Sequence, residues 1–243
     1  MNLIIDIGNS QIKTAVFEAN TLVFKEIFPH ENWEMNLKNK LESFPKINQM
    51  VVSNVGNIEN KDFKKVITTQ KWFEVSKDSK FQFVNLYKTP HTLGIDRMVL
   101  ASGAVHQFPN KNRLIIDAGT CITYDFVDSE DNYHGGAISP GIQLRYQSLN
   151  NYTAKLPLLE IQYPDKIIGD STEQAIHSGV VNGVLFEMDG LIDDYSSKYE
   201  NFIIILTGGN AEFLAKRLKN TIFANSNFLL ESLNQLFQYN QND

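Results

Sequence analysis

Short runs of consecutive apolar residues alternate along the chain with longer stretches in which apolar residues recur every three or four positions. The short runs at 3–5, 114–116 and 202–206 have the length of strands, and their continuous apolar character predicts central β-strands. Helical spacing is found at 98–106, 173–192, 210–218 and in the Asn- and Gln-rich end after 224, which predicts a terminal helix with a frayed polar tail. Strands that alternate with helices favour an α/β fold with mixed sheets covered by helices.

One segment of the chain occurs twice. Leu3-Ile4-Ile5-Asp6-Ile7-Gly8-Asn9-Ser10 returns 111 residues later as Leu114-Ile115-Ile116-Asp117-Ala118-Gly119-Thr120-Cys121. Each copy is an apolar run that ends in Asp-x-Gly and continues into a second alternating segment, which is typical of a β-hairpin. A single copy could be an ordinary strand and turn, but two copies at the start of successive halves indicate duplication. We therefore predict two domains, 1–111 and 112–243, with the joint where Pro, Asn and Lys interrupt the pattern at 109–113.

The two turns have residue types that suit a phosphate group. Gly8 and Gly119 allow backbone N–H groups to approach an anion without an intervening side chain. Asn9, Ser10 and Thr120 add further hydrogen-bond donors. The turns therefore favour a nucleotide as ligand.

Charged residues accompany both turns. Lys13 could place a positive charge on the phosphate that is transferred, and the carboxylates of Asp6 and Asp117 suit Mg²⁺ or a monovalent cation, because hard cations prefer oxygen ligands. The alternative for Lys13 is a solvated surface lysine, and for the two aspartates it is turn capping.

Composition and charge narrow the class of protein. The chain is 42% hydrophobic and 21% charged, which is ordinary for a globular protein, and its net charge of −6 argues against nucleic acid and anionic membranes as partners. No apolar run approaches the ~20 residues of a membrane span, and no basic-then-apolar leader is present at the amino terminus, so neither membrane insertion nor export is expected. The single cysteine, Cys121, excludes an intrachain disulfide; we expect it to be buried in a cytoplasmic protein. Five dispersed histidines fit no metal-ligand spacing: His30, His91, His106, His134 and His177.

A third element follows near the end of the chain. The apolar run 202–206 is followed by Thr207-Gly208-Gly209-Asn210 and a helical pattern, which alone is a weak nucleotide signal. The order of the two Asp-x-Gly turns and this Gly-Gly element resembles the actin, Hsp70 and sugar kinase superfamily. The resemblance implies two duplicated ribonuclease H-like (actin-like ATPase) domains, each a mixed sheet flanked by helices.

Within that superfamily the chain resembles the type III pantothenate kinases from residue 1 to about 218. The matching segments, in order, are Asp6-Ile7-Gly8-Asn9-Ser10 with Lys13, Tyr87 and Pro90 before Gly94-Ile95-Asp96-Arg97, Asp117-Ala118-Gly119-Thr120, Gly135-Gly136-Ala137-Ile138-Ser139-Pro140-Gly141, Thr153-Ala154-Lys155-Leu156-Pro157, and Ser171-Thr172-Glu173 with Ser178-Gly179 and Gly183. Two departures are conservative. Ser10 replaces a usual Thr but keeps the hydroxyl, and Cys121 replaces a usual Ala but keeps a small apolar volume.

The resemblance implies a reaction and a set of roles. The reaction is ATP-dependent phosphorylation of pantothenate to 4′-phosphopantothenate, the first step of coenzyme A biosynthesis, with Mg²⁺ and a monovalent cation, K⁺ or NH₄⁺, in a cytoplasmic homodimer. Asp96 is implied as the catalytic base and Asp117 as the monovalent cation ligand. The ATP-binding residues implied are Asp6, Ile7, Gly8, Asn9, Ser10, Gln11, Ile12, Lys13 and Thr120. The substrate-binding residues implied are Tyr87, Gly94, Ile95, Asp96, Arg97 and Thr172, with Arg97 placed to bind the pantothenate carboxylate.

Other functions remain open from the residues alone. The Asp96–Arg97 pair could be a plain surface ion pair at a helix start. Another kinase or phosphatase of the superfamily, such as a sugar kinase or polyphosphatase, would share the phosphate turns but lack the segment 94–97. A transcriptional accessory factor or a chaperone or filament ATPase is disfavoured by the acidic charge, by the lack of a helix-turn-helix pattern and by the short chain.

Overall fold

The computed structural model describes residues 1–56, 58, 60–66 and 71–241. It divides into two compact units, one made of Met1–Gln107 with Asn227–Asp243 and the other of Phe108–Ser226. The first border lies close to the expected joint at 109–113. The segment after 226 differs from the expected domain 112–243, since it returns to the first unit.

The secondary structure alternates as the apolar pattern predicts. In chain order the strands are β1 (Asn2–Ile7), β2 (Ile12–Glu18), β3 (Thr21–Phe28), β4 (Gln49–Asn54), β5 (Lys71–Glu74), β6 (Val84–Asn85), β7 (Asn112–Ala118), β8 (Cys121–Val127), β9 (Asn132–Pro140), β10 (Phe202–Thr207) and β11 (Phe223–Ala224). The α-helices are α1 (Trp33–Ser43), α2 (Asn60–Val66), α3 (Ile95–Gln107), α4 (Ile142–Asn151), α5 (Thr172–His177), α6 (Gly183–Lys198), α7 (Ala211–Ala215) and α8 (Phe228–Gln241). A short 3₁₀ helix, Pro90–Thr92, precedes α3, and a π-helical turn, Ser178–Asn182, joins α5 to α6.

The two units repeat one sheet topology. In the first unit the strands lie in the order β3-β2-β1-β4-β5, with β1–β2 and β2–β3 antiparallel and β1–β4 and β4–β5 parallel. In the second unit β9-β8-β7-β10-β11 repeats that order, with β7–β8 and β8–β9 antiparallel and β10 parallel to both of its neighbours. Each unit is therefore a mixed sheet flanked by helices, which confirms the predicted fold class.

The central strand of each sheet has its two faces in different surroundings. Leu3, Ile5 and Ile7 of β1 are fully buried in an apolar cluster of the first unit, and the corresponding residues of β7, Leu114, Ile116 and Ala118, are fully buried in a cluster of the second. Because side chains alternate along a strand, Asp6 and Asp117 each lie on the face of the sheet that points away from its apolar cluster. The repeat therefore places the two aspartates in equivalent positions.

Helix α8 packs within the first unit, against α3 and the strands β1, β2 and β4. At the α3–α8 contact Gly103 lies against Ser232, where an added Cβ would collide with the serine side chain. The Asn234 amide donates to the Ala19 carbonyl at 2.9 Å and Asn2 donates to Asn234 at 2.8 Å, so the helix is attached to the β1–β2 hairpin. The predicted terminal helix is present, and its polar residues serve as contacts to the hairpin.

No helix in the described ranges combines the length and the apolar character required to cross a bilayer.

Helix α7 is shorter than the stretch 210–218 that the spacing predicts, since it ends at Ala215.

Candidate active site

The first phosphate turn connects β1 to β2. Ile7 pairs with Ile12, so residues 8–11 form the turn, which is closed by a hydrogen bond from Gly8 N–H to the Gln11 carbonyl at 3.0 Å. A Cβ at Gly8 would lie 3.1 Å from that carbonyl oxygen, which is tighter than ordinary side-chain contact. Glycine at this position therefore allows the turn to stay narrow.

Asp6 and Lys13 lie opposite each other where the hairpin begins. Lys13 Nζ is 3.8 Å from Asp6 Oδ2, and Asp6 is only 3% exposed. Burial raises the pKa of Asp6 to about 6, and the negative charge of Asp96 adds to this rise. The positive charge of Lys13 and the Ser53 hydroxyl on β4 lower the pKa and partly oppose the rise. Asp6 Oδ1 is buried without a hydrogen bond of good geometry in the described part of the chain.

The segment 94–97 has a specific local geometry. Helix α3 begins at Ile95, and Asp96 Oδ1 accepts a hydrogen bond from the Arg97 backbone N–H at 2.9 Å. This contact folds the carboxylate back over the chain, and a Cβ at Gly94 would collide with Asp96 Oδ1. Glycine at 94 is therefore required for the position of the Asp96 carboxylate, which leaves Oδ2 outside this backbone contact.

Arg97 and Tyr87 lie together in the same unit. Arg97 is 6% exposed, and its guanidinium carbon lies 5.7 Å from the centre of the Tyr87 ring. The Tyr87 backbone N–H donates to Asn85 Oδ1 at 3.0 Å, which holds the loop before the 3₁₀ helix. The first unit thus contains the turn 8–11, Asp6, Lys13, Tyr87 and the segment 94–97.

The second turn connects β7 to β8 and is shorter by one residue. Ala118 pairs with Ile122, and Gly119 N–H donates to the Cys121 carbonyl at 3.0 Å. Asp117 pairs with Thr123 on β8, where the first hairpin has Lys13 opposite Asp6. The two turns are therefore related in fold, but the lysine is present in the first alone.

Two threonine hydroxyls flank Asp117 on the same face of the sheet. Asp117 pairs with Thr123 in β8 and with Thr207 in β10, and directly paired residues project to the same side. The Oγ1 atoms of both threonines are buried and make no hydrogen bond with the described residues. Oxygen atoms in such a row fit a hard monovalent cation.

Gly208 allows the strand β10 to approach the second turn. Its φ is +96°, and a Cβ there would collide with Asp117 Oδ1 and crowd the Ala118 carbonyl. The next element is anchored by a hydrogen bond from Asn210 N–H to the Ala118 carbonyl at 3.0 Å. The predicted Gly-Gly element after 206 thus lies beside Asp117.

Thr120 and Cys121 are both exposed on the second turn. The expectation that Cys121 is buried is wrong: it is exposed at the start of β8, beside the turn, whereas the next residue, Ile122, is buried in the core. Gly141 packs against the turn, since its N–H donates to the Thr120 carbonyl at 3.0 Å.

Thr172 borders a cavity in the second unit. It begins α5 after the N-cap Ser171, whose Oγ accepts from Gln174 N–H at 3.2 Å. The cavity has a volume of about 600 Å³, and most of its wall is apolar. Its lining residues are Arg145, Ser148, Leu149, Leu156, Thr172, Ala175, Ile176, Gly179 and Val180.

A polar cluster that no sequence pattern predicted lies at the edge of this cavity. Glu187 accepts from Arg145 at 2.6 Å, from Ser139 at 2.5 Å and from Tyr124 at 2.9 Å. Burial raises the pKa of Glu187, but these hydrogen bonds outweigh burial and hold the pKa below its ordinary value. Arg145 is therefore held at the cavity wall by an ionised partner.

A multi-ligand metal centre is not seen: within 1–56, 58, 60–66 and 71–241, no three His, Cys, Asp or Glu side chains group around a common point. Mg²⁺ does not require one, because it usually keeps several waters and binds one or two carboxylates. The unbonded Oδ1 of Asp6, with the Asp96 charge nearby, fits this mode of binding.

Comparisons with known proteins give consistent results. The sequence profile described as "Type III pantothenate kinase" matches residues 2–194. The chain is 58% identical over 242 residues to a type III pantothenate kinase of Flavobacterium johnsoniae, with 98% of each chain covered. It is 37% identical over 243 residues to one from Bacteroides fragilis, covering 99% of this chain and 98% of the relative.

Solved structures share the fold at lower identity. A protein of Campylobacter jejuni assigned to the Baf family of transcriptional activators has a TM-score of 0.65 at 23% identity, covering 99% of this chain and 100% of that one. A Listeria monocytogenes protein assigned as an N-acetylmannosamine kinase has a TM-score of 0.54 at 13% identity, with 99% of both chains covered. At these identities the likeness concerns the fold alone.

Proposed function

Because the chain belongs to the type III pantothenate kinase family, it phosphorylates pantothenate with ATP in the first step of coenzyme A biosynthesis, and we propose that Asp96 is its catalytic base. The observation that carries this proposal is the folded-back Asp96 carboxylate. One oxygen is held by the Arg97 N–H at 2.9 Å, and the charge of the group is felt by Asp6.

Phosphoryl transfer depends mainly on positioning and on charge stabilisation. The pantothenate hydroxyl oxygen bonds to the γ-phosphorus while the bond from that phosphorus to ADP breaks. The hydroxyl proton passes to Asp96 Oδ2, since Oδ1 is engaged by the backbone. Gly94 supports this role because it leaves room for the carboxylate.

ATP binds at the first phosphate turn in this proposal, through the backbone of residues 6–13, the Ser10 hydroxyl and the Lys13 ammonium. The predicted ATP-binding role of Thr120, on the second turn, stays a prediction. Mg²⁺, when bound, neutralises phosphate charge, and Asp6 would hold it with Asp96 nearby. The buried, unbonded Asp6 Oδ1 supports this assignment.

In this proposal Tyr87 and the segment 94–97 of the first unit bind pantothenate, and the predicted substrate-binding role of Thr172 stays a prediction. Arg97 binds the pantothenate carboxylate, and the aromatic ring of Tyr87 supports the guanidinium from 5.7 Å. Two donors of a guanidinium can bind both carboxylate oxygens together, which lysine cannot do.

Replacing Arg97 with alanine should raise the KM for pantothenate by about 10- to 100-fold, since a charge-assisted contact contributes roughly 1.5–3 kcal/mol. The KM for ATP should change little. Arg97→Lys keeps the charge but loses the planar fork of the guanidinium, so its KM for pantothenate should lie between those of the wild type and Arg97→Ala. Steady-state kinetics with each substrate varied provides the measurement, and a wild-type pantothenate KM in Arg97→Ala would contradict the assignment.

Asp117 binds a monovalent cation, K⁺ or NH₄⁺, in this proposal, with the buried hydroxyl oxygens of Thr123 and Thr207 beside it. Replacing Na⁺ with K⁺ or NH₄⁺ at matched ionic strength should therefore raise the rate. Asp117→Asn should remove the difference between the salts. Equal rates for the wild-type enzyme in all three salts would contradict the site.

The enzyme acts as a homodimer in this proposal. Two-fold dimers are the commonest assemblies, and the second unit exposes large apolar side chains, with Tyr152 88%, Ile168 78% and Phe186 54% exposed. Light scattering at assay concentration should give twice the mass of one chain. Ile168→Glu should lower the dimer fraction, whereas Met35→Glu, at an exposed position of the first unit, should not. A fully active monomer would contradict this proposal.

The reaction takes place in the cytoplasm in this proposal, and the single cysteine supports a compartment where disulfides are rare. The activity itself is tested by incubating the purified protein with ATP, Mg²⁺ and a panel of acceptors, followed by mass spectrometry. We expect 4′-phosphopantothenate. Phosphorylation of a sugar with pantothenate left unchanged would contradict the proposed function.

A further inference from the structure

We infer that His30 is a positioning residue for ATP: it holds the carbonyl of Gly8 and thereby directs the Asn9 N–H toward bound phosphate. His30 Nε2 lies 3.0 Å from the Gly8 carbonyl oxygen. This inference rests on the proposal that the first phosphate turn binds ATP, and it adds a residue that lies outside the turn.

The chemistry of the contact fixes the role of the imidazole. A carbonyl oxygen only accepts hydrogen bonds, so Nε2 must carry the hydrogen and donate it. Both the neutral Nε2–H tautomer and the charged imidazolium can do this.

The fold brings His30 to the turn from strand β3. Phe28, the last residue of β3, pairs with Ile12 at the start of β2, and it is 7% exposed. The chain then passes the first phosphate turn and reaches Asn32, the N-cap residue of α1, which has a φ of 61°. Helix α1 begins at the next residue, Trp33. His30 is thus held between an anchored strand end and a helix start.

Peptide planarity transmits the contact to the phosphate side of the turn. The Gly8 carbonyl and the Asn9 N–H belong to one trans peptide and point in opposite directions. Holding the carbonyl therefore fixes the direction of the N–H, which has no hydrogen-bond partner among the described residues. If this peptide flipped, a carbonyl oxygen would face the phosphate, and glycine offers little steric resistance to such a flip.

Gly56 supports the same orientation from another side. A Cβ at position 56 would lie 2.5 Å from the Gly8 carbonyl oxygen, so glycine there leaves the space that this oxygen occupies. The hydrogen bond from Val55 N–H to the Ile7 carbonyl at 3.0 Å keeps this segment against the end of β1. The Gly8 carbonyl thus occupies the space that a side chain at position 56 would fill, and the His30 imidazole holds it there.

The test compares four side chains at position 30 by measuring the ATP KM, kcat and pantothenate KM, together with the melting temperature without ligand. His30→Ala should raise the ATP KM by about three- to tenfold, the value of one hydrogen bond, with kcat and pantothenate KM nearly unchanged. Glutamine places an amide N–H near the position of Nε2 and should restore the wild-type value. Asparagine is polar but too short, and should behave like alanine.

Two controls make the outcome specific. His106→Ala changes an exposed histidine at the end of α3 and should leave the ATP KM unchanged. Lys13→Ala tests the turn itself. If Lys13→Ala weakens ATP binding while all position 30 variants match the wild type, the role of His30 is overturned. If Lys13→Ala also has no effect, the assignment of the turn to ATP fails. A lower melting temperature with an unchanged ATP KM would mean that His30 is only structural, which also overturns the inference.

Discussion

Asp96→Asn lowers kcat by about 10²–10⁴-fold, the usual contribution of a positioned general base, while the KM for ATP stays near the wild-type value. Asparagine keeps the shape of aspartate, and its carbonyl oxygen can still accept the Arg97 N–H that holds the side chain at 2.9 Å. The fold at the start of α3 is therefore retained. What is lost is the ability to accept the proton of the pantothenate hydroxyl.

Steady-state kinetics with both substrates saturating measures this effect, and Asp78→Asn is the matched control. It makes the same change on an exposed carboxylate of the first unit. If Asp96→Asn keeps kcat within a few-fold of the wild type, Asp96 does not accept the proton, and its contact with the Arg97 N–H is only structural.

Asp6→Asn should make the protein less active and more stable at the same time. If Asp6 holds Mg²⁺ as proposed, loss of its carboxylate should lower kcat/KM on the order of 10²–10³-fold. Burial raises the pKa of Asp6 to about 6, so above this pH the folded protein carries a charge that its surroundings disfavour. Removing that charge should raise the free energy of unfolding at pH 8 by about 1–3 kcal/mol.

The pH dependence of this gain has a definite sign. As the pH falls through 6 the folded protein protonates Asp6 before the unfolded chain does, so the penalty disappears progressively and is absent below about pH 4. Urea unfolding of the nucleotide-free and Mg²⁺-free proteins at pH 8 and pH 5 measures it. A variant that is less stable than the wild type at pH 8 would show that Asp6 is a structural residue.

Local patterns predicted the parts of the fold that depend on neighbouring residues. The hairpins after Asp6 and Asp117 follow from an apolar run, a glycine and a second alternating run, all within about fifteen residues. The place of α8 could not be predicted in this way. It depends on contacts such as Asn2 with Asn234, which are separated by 232 positions and leave no periodic signal.

In the candidate site, too, residues in local motifs could be predicted, whereas contacts between residues distant in sequence could not. Asp6, Lys13 and Asp96 could be proposed as site residues from the sequence because their motifs and spacing are local. The contacts of His30 with Gly8 and of Arg145 with Glu187 join residues 22 and 42 positions apart, and neither pair has a characteristic spacing. The close approach of Gly94 to the Asp96 carboxylate explains why glycine stands two positions before the aspartate in the segment 94–97, which the sequence alone does not explain.

Single-turnover rapid-quench measurement with pantothenate varied up to saturation separates the proposed proton transfer to Asp96 from the proposed substrate binding by Arg97. Arg97→Ala should approach the wild-type rate of phosphoryl transfer once pantothenate saturates, whereas Asp96→Asn should stay slower by about 10²–10⁴-fold at every concentration. A wild-type transfer rate in Asp96→Asn, with the deficit found in Arg97→Ala instead, would contradict the roles proposed for the two residues.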